Sequence, residues 1–150
     1  MEFRQFNEEY GRLYKEDDSL YRRLARHFGL SESSFWILYS LEASSQPLTQ
    51  ADLSGWLYLS KQTVNSGLKQ LEQEGHIRLT DGPGRKKYLQ LTDQGQALTA
   101  RTVRRVLELE ERAFLAMTPE EQDGLLRLTR RHLELMLLES EPMLNTPREE

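Results

Sequence analysis

The chain has 150 residues, a formal net charge of −4 and no cysteine. Its length suits one domain with a core large enough to fold without cross-links, and the missing thiols exclude disulfides and thiolate metal sites. No apolar run is long enough to span a bilayer, and the first residues lack the apolar core of a signal peptide. A cytoplasmic protein without a cofactor is therefore expected.

Positive charge is concentrated in one part of this acidic chain. Residues 60–90 hold six bases and three acids, a balance of +3, which leaves −7 for the remainder of a chain whose total is −4. A local basic segment on an acidic body is typical of a protein that presents one face to nucleic acid. The alternative is that the bases cluster by chance on a solvated surface. The secondary structure that carries the bases is needed to choose between these two interpretations.

The first half of the chain is predicted to be helical. Apolar residues at three- and four-residue steps predict a helix over residues 1–28, which Gly29 ends. Ser31 is placed to cap a second helix over residues 32–43, and Leu30 and Phe35 have the spacing of a hydrophobic staple.

Two short helices follow, each with the same start signal. Thr49 precedes a predicted helix over residues 50–57, with Asp52 at its third position, and Ser60 precedes another that ends at Gly75. Two capped helices joined by about three residues predict a helix-turn-helix.

The period of the apolar residues changes after Gly75. Apolar and polar residues alternate on both sides of the Asp-Gly-Pro-Gly segment at 81–84, which predicts a β-hairpin. Thr92 is placed to cap the next helix. One helix is predicted from about residue 93 to 117, and a second opens with a capping box at residues 118–121. Residues 140–150, with two prolines, are expected to form a loose tail.

The helix after Ser60 has two chemically different faces. Val64, Leu68 and Leu71 share one side, and amides, hydroxyls and a lysine lie opposite. Such groups hydrogen-bond bases and phosphates, whereas an ordinary amphipathic surface helix, the alternative, commonly carries Glu–Lys pairs. The hairpin adds an arginine suited to a minor groove. The candidate DNA-binding residues are Ser60, Lys61, Gln62, Thr63, Asn65, Ser66, Lys69, Arg85, Lys86 and Lys87.

Several short motifs occur in a characteristic order. They are LT and ADL within residues 48–53, SKQTV at 60–64, LKQLEQEG at 68–75, the charged hairpin and LTDQG at 91–95. In this order they resemble the MarR family of bacterial regulators, over essentially the whole chain. The resemblance implies a mainly α fold with a small β-hairpin wing, a winged helix-turn-helix. It implies one domain over 1–150, with a DNA-binding lobe at 31–95 and dimerisation helices at 1–30 and 96–139.

The resemblance also implies a mode of action. Members form homodimers on a pseudo-palindromic operator in double-stranded DNA, often as repressors that a small ligand releases. An aspartate and an arginine are usual in the wing, and Asp81 and Arg85 occupy those roles here. The tip between them, residues 82–84, is atypical for the family.

Dimerisation is also indicated by the apolar surface of the terminal helices, which exceeds what the compact winged unit can cover. The alternative is that these helices fold back as intramolecular core. The candidate dimerisation residues are Phe3, Phe6, Tyr10, Leu13, Leu126, Leu133, Met136 and Leu137.

A ligand cleft is the remaining candidate site. Tyr14, His27, Trp36 and Tyr39 lie on helices that, by the family resemblance, border the cleft between the dimerisation and DNA-binding lobes. They could hold a small aromatic acid, although aromatic residues on helices are also commonly core.

Enzymatic and metal sites are not indicated. His27, His76 and His132 are scattered, and no zinc-protease, phosphate-loop or serine-nucleophile motif occurs. No catalytic or metal-binding residue is therefore assigned. The competing class is a winged-helix module whose basic face docks a protein partner instead of DNA, and the salt dependence of binding separates the two.

Overall fold

The computed structural model describes residues 1–57 and 59–146, except for the side chain of Trp56. Its elements, in chain order, are α1 (Phe3–His27), α2 (Glu32–Ala43), β1 (Leu48–Thr49), α3 (Gln50–Trp56), α4 (Lys61–Gln73), β2 (Ile77–Asp81), β3 (Lys87–Leu91), α5 (Asp93–Arg101), α6 (Val103–Leu115) and α7 (Pro119–Leu144). The predicted class, mainly helical with a small hairpin wing, is confirmed. Within the described residues, no helix is long and apolar enough to cross a membrane.

Side-chain caps set where the helices start. The hydroxyls of Ser31 and Ser60 accept the N–H groups of Ser34 and Thr63, three residues further on. Glycines end two helices as predicted, because Gly29 and Gly75 adopt φ values of 68° and 76°. The element boundaries read from these signals therefore agree with the structure to within about two residues.

The core lies where α2 meets the helix-turn-helix and the sheet. Phe35, Ile37 and Leu38 of α2 are fully buried, and Leu53 of α3 and Val64 of α4 join them. The sheet is antiparallel with strand order β1-β3-β2, and the buried Leu89 pairs with both Leu48 and Leu79.

Thr92 fixes the base of the hairpin. Its N–H donates to the His76 carbonyl at 3.0 Å, and its hydroxyl donates to the Gly75 carbonyl at 2.5 Å. The same hydroxyl accepts the Gly95 N–H at 3.1 Å, which starts α5. One threonine thus joins the end of α4, the hairpin and α5.

The chain divides into two compact units, Met1–Glu108 and Leu109–Glu150, and the boundary falls within α6. The first unit holds the winged helix-turn-helix and all the buried core residues. In the second, Thr118 and Glu121 form the predicted capping box. Gln122 donates its amide to the Phe114 and Met117 carbonyls at 3.0 and 3.1 Å, which links the end of α6 to the start of α7.

Two predicted boundaries are wrong. The single helix expected over residues 93–117 is broken at Thr102, whose buried hydroxyl donates to the Leu98 carbonyl at 2.7 Å and so competes with the helical N–H for that acceptor. Residues 140–144 belong to α7 instead of a loose tail. Helix α7 continues past Pro142, and near its end Thr146 donates its hydroxyl to the Pro142 carbonyl at 2.7 Å. The rest of the expected tail, residues 147–150, lies outside the described residues.

Candidate nucleic-acid interface

Helix α4 separates its apolar and polar faces as the sequence predicts. Val64, Leu68 and Leu71 are buried. The candidate contact residues on this helix, namely Lys61, Gln62, Thr63, Asn65, Ser66 and Lys69, are all exposed. The polar face of α4 is therefore available to a partner.

Close packing on α2 fixes the orientation of α4. A Cβ atom at Gly67 would lie 2.8 Å from Cδ1 of the fully buried Ile37 and 2.9 Å from Oγ of Ser33. Only glycine lets the two helices approach this far, so Gly67 holds the opposite, polar face outward.

The first turn of α4 combines a cap with free donors. Ser60 and Thr63 join their hydroxyls at 2.7 Å, and the Ser60 hydroxyl also accepts the Thr63 N–H at 3.1 Å. Within the described part of the chain, the N–H groups of Lys61 and Gln62 bond to nothing. With the positive end of the helix dipole they suit a phosphate oxygen.

Sequence reasoning missed one residue at this surface. Gln50, the first residue of α3, donates its side-chain amide to Oδ1 of Asn65 at 2.5 Å, which joins the two helices of the helix-turn-helix. Both residues are exposed, and this bond does not use the Nδ2 donors of Asn65 or the Oε1 acceptor of Gln50. No sequence signal finds this pair, because it joins side chains fifteen residues apart.

The hairpin carries its bases on an exposed tip. Lys87 is paired across the strands with Asp81, so part of its charge is already compensated. Arg85 and Lys86 are exposed and, within the described residues, outside any ion pair. The unusual Gly82 has a steric reason, because a Cβ atom there would lie 2.1 Å from the Tyr88 ring.

The wing lies beside the N-terminus of α3. Asp52 accepts both the hydroxyl and the N–H of Thr49 at 2.7 Å, and these bonds hold the pKa of its carboxyl below the ordinary value, with a smaller contribution from the nearby Lys86. A shallow groove of about 130 Å³ is lined jointly by α3, α4 and the hairpin, including Gln50, Lys69 and Arg78. The three elements therefore border one continuous surface.

The four aromatic candidates for ligand binding separate into two groups. Tyr14, Trp36 and Tyr39 line one cleft of about 530 Å³ between α1, α2, Leu57 and Leu59. Tyr21, which the sequence reasoning missed, lines it too. His27 is not among the described residues that line the cleft, and its ring packs edge-on against Phe28 at 5.0 Å.

The candidate dimerisation residues are exposed in the single chain. Phe3 is 77% exposed and Leu126 60%, and none of the residues of α7, all of which are described, is buried. The remaining candidate dimerisation residues are each more than a third exposed, namely Phe6, Tyr10, Leu13, Leu133, Met136 and Leu137.

The chain is similar to known regulators in sequence. Residues 28–87, which hold the helix-turn-helix and most of the wing, match the model of the MarR family. An HTH-type transcriptional regulator of Bacillus cereus, named as uncharacterized, is 26% identical over 115 residues, 77% of each chain. The regulator YwoH of Bacillus subtilis is 27% identical over 108 residues, 71% of this chain and 78% of its own.

Solved structures show the same fold. A MarR family regulator from Neisseria meningitidis has a TM-score of 0.73 at 24% identity, covering 95% of this chain and 99% of its own. A MarR/EmrR family transcriptional regulator from Acinetobacter has a TM-score of 0.67 at 20% identity, covering 91% and 98%. The matched segment, the order of the motifs and the fold agree: residues 28–87 are similar to the MarR family, and the chain has the fold of these solved MarR family regulators.

Proposed function

We propose that the chain is a transcriptional regulator of the MarR family that binds a pseudo-palindromic operator as a homodimer, represses transcription in the cytoplasm and releases DNA when a small molecule binds. The observation that carries the proposal is the exposure of the amides and cations of α4 and of the wing cations within one compact unit, in which α3, α4 and the base of the hairpin line one groove. These groups are the donors that read base edges and neutralise phosphates.

Each part of the surface has a role in the proposed complex. Helix α4 enters the major groove with Gln62, Ser66 and Lys69 toward the bases, and its first turn holds a phosphate. Arg85 at the wing tip enters the minor groove, where the negative potential favours an arginine. Lys86 contacts the backbone beside it.

Exposed apolar side chains on α1 and on α7 support the homodimer. A monomer would leave many large apolar side chains in water, and soluble proteins rarely expose large contiguous apolar patches. A two-fold axis would place two α4 helices about 34 Å apart, which matches successive major grooves.

Ligand release is proposed through the cleft beside α2. Its lining includes Leu57 and Leu59, which precede the start of α4, and α2 itself packs on α4 at Gly67. A molecule in the cleft would act by binding the DNA-competent and DNA-incompetent arrangements of the dimer with unequal affinity.

Salt dependence of binding to a selected operator tests the DNA function. Affinity should fall with a log–log slope of about −0.9 for each phosphate neutralised. Replacing Lys86, the proposed backbone contact, by alanine should weaken binding and flatten the slope by about one. Lys15→Ala, which removes an exposed lysine of α1, should leave both unchanged. An affinity that does not change with salt concentration would instead favour the hypothesis that this surface binds a protein partner.

A further inference from the structure

The cleft between α1 and α2 has an aromatic wall. Tyr21 and Trp36 place their ring centroids 5.1 Å apart, and Trp36 meets Tyr39 edge-on at 5.4 Å. All three rings are half-buried, with one side packed on the core and the other lining the cleft. A flat or apolar body of small-molecule size would cover them, and the cleft volume of about 530 Å³ is within the range of drug-sized sites.

The charged groups of the cleft are mostly acidic. Asp17 and Asp18 of α1 and Glu32 of α2 line it, against one base, Arg22. Arg22 is already engaged, because its Nη2 lies 2.9 Å from Asp18 and its Nε 3.9 Å from Glu32. An anionic ligand would therefore find no unengaged cation in the described lining and would be repelled by carboxylates.

Helical spacing brings these groups together. Residues 14, 17, 18, 21 and 22 share one face of α1, and residues 32, 36, 39 and 40 share one face of α2. On α1, Asp17 and Asp18 lie between the rings of Tyr14 and Tyr21, and on α2, Glu32 precedes the rings of Trp36 and Tyr39. Aromatic faces attract cations through their quadrupole, and nearby carboxylates add a Coulomb attraction of the same sign.

We infer that this cleft binds an organic cation with an aromatic or apolar body, and not the aromatic acid expected from the sequence. The rings would cover the apolar body and Asp17 would compensate the charge, while Asp18 and Glu32 remain shared with Arg22. The inference deepens the proposed ligand release and rests on it only for the step from binding to loss of DNA.

Calorimetric titration of the full-length protein with two probes of nearly equal shape and opposite charge tests the inference. Tetraphenylphosphonium should bind at least ten times more tightly than tetraphenylborate. Replacing Asp17 by asparagine should weaken phosphonium binding about three- to tenfold, because one nearby charge is lost. The matched control is Glu16→Gln, which removes the neighbouring acid that pairs with Arg12, and it should change the affinity less than twofold.

Equal or tighter binding of tetraphenylborate would overturn the inference, as would an Asp17→Asn effect no larger than that of Glu16→Gln. Salt-dependent operator binding, measured on the same preparation, separates this failure from that of the DNA function. If neither probe binds while the operator still does, the inference and the ligand-release step fail and DNA recognition stands.

Discussion

At the scale of single residues, Gly67 has the sharpest steric role. An alanine there would push its Cβ against Ile37 and Ser33 of α2, and Ile37 is fully buried and cannot move aside. We expect Gly67→Ala to lower the free energy of unfolding by about 1 kcal/mol, because overpacking costs about 1–3 kcal/mol and alanine regains about 1 kcal/mol of helix propensity. Urea unfolding measures the change.

Gly11→Ala is the matched control. Gly11 also lies within a helix, but nothing in the described part of the chain would lie within 4 Å of a Cβ there. Alanine should therefore raise the free energy of unfolding by about 0.5–1 kcal/mol. Equal effects of the two substitutions would show that α2 and α4 do not meet closely at Gly67.

Arg85 and Lys86 are neighbours with different predicted roles. Arg85→Ala should cost about 1–3 kcal/mol of operator binding and relax the sequence preference under the wing. Lys86→Ala should weaken operator and unrelated duplexes alike, because a phosphate contact carries no sequence information. Gel-shift titrations on both duplexes distinguish them, and a uniform loss for Arg85→Ala would exclude groove reading by that side chain.

At the scale of elements, the capping box of α3 predicts a pH effect. Hydrogen bonds from Thr49 lower the pKa of Asp52 in the folded chain. Its carboxylate therefore adds stability above the unfolded pKa of about 4, and this stability is lost as the pH falls through the lower folded value. The difference in urea midpoint between wild type and Asp52→Asn should be large at neutral pH and shrink in acid.

Thr49→Ser retains both hydrogen-bond donors and should keep the wild-type pH profile, which makes it the control for this element. A wild-type advantage over Asp52→Asn that stays constant into acid would mean that the carboxylate acts through packing and not through its charge.

Local signals explain which elements could be predicted from the sequence. Caps such as Ser31, Thr49 and Ser60 act within one turn, so the starts of α2, α3 and α4 follow from the residues alone. The break at Thr102 depends on burial of its hydroxyl, and the Gln50–Asn65 bond depends on tertiary packing. The exposed polar face of α4 was therefore predictable, whereas its link to α3 and the acidic character of the cleft were not.

At the scale of the whole molecule, the exposed apolar surface of α7 predicts a second copy. Leu133→Glu should convert the dimer to a monomer at micromolar concentration, measured by light scattering after size exclusion, because a buried carboxylate would be unpaired at the interface. Arg127→Glu, at another exposed position of the same helix, is the control and should leave the dimer intact. A dimer that survives Leu133→Glu would place the interface elsewhere.

In the proposed complex, α4 and the wing of each of two copies read DNA together. Selection of bound duplexes from a random pool by the 150-residue chain should recover an inverted repeat whose half-sites are centred about one helical turn apart, about 10 base pairs. Enrichment of a single half-site without symmetry, or of no sequence at all, would show that two copies do not read DNA in this way.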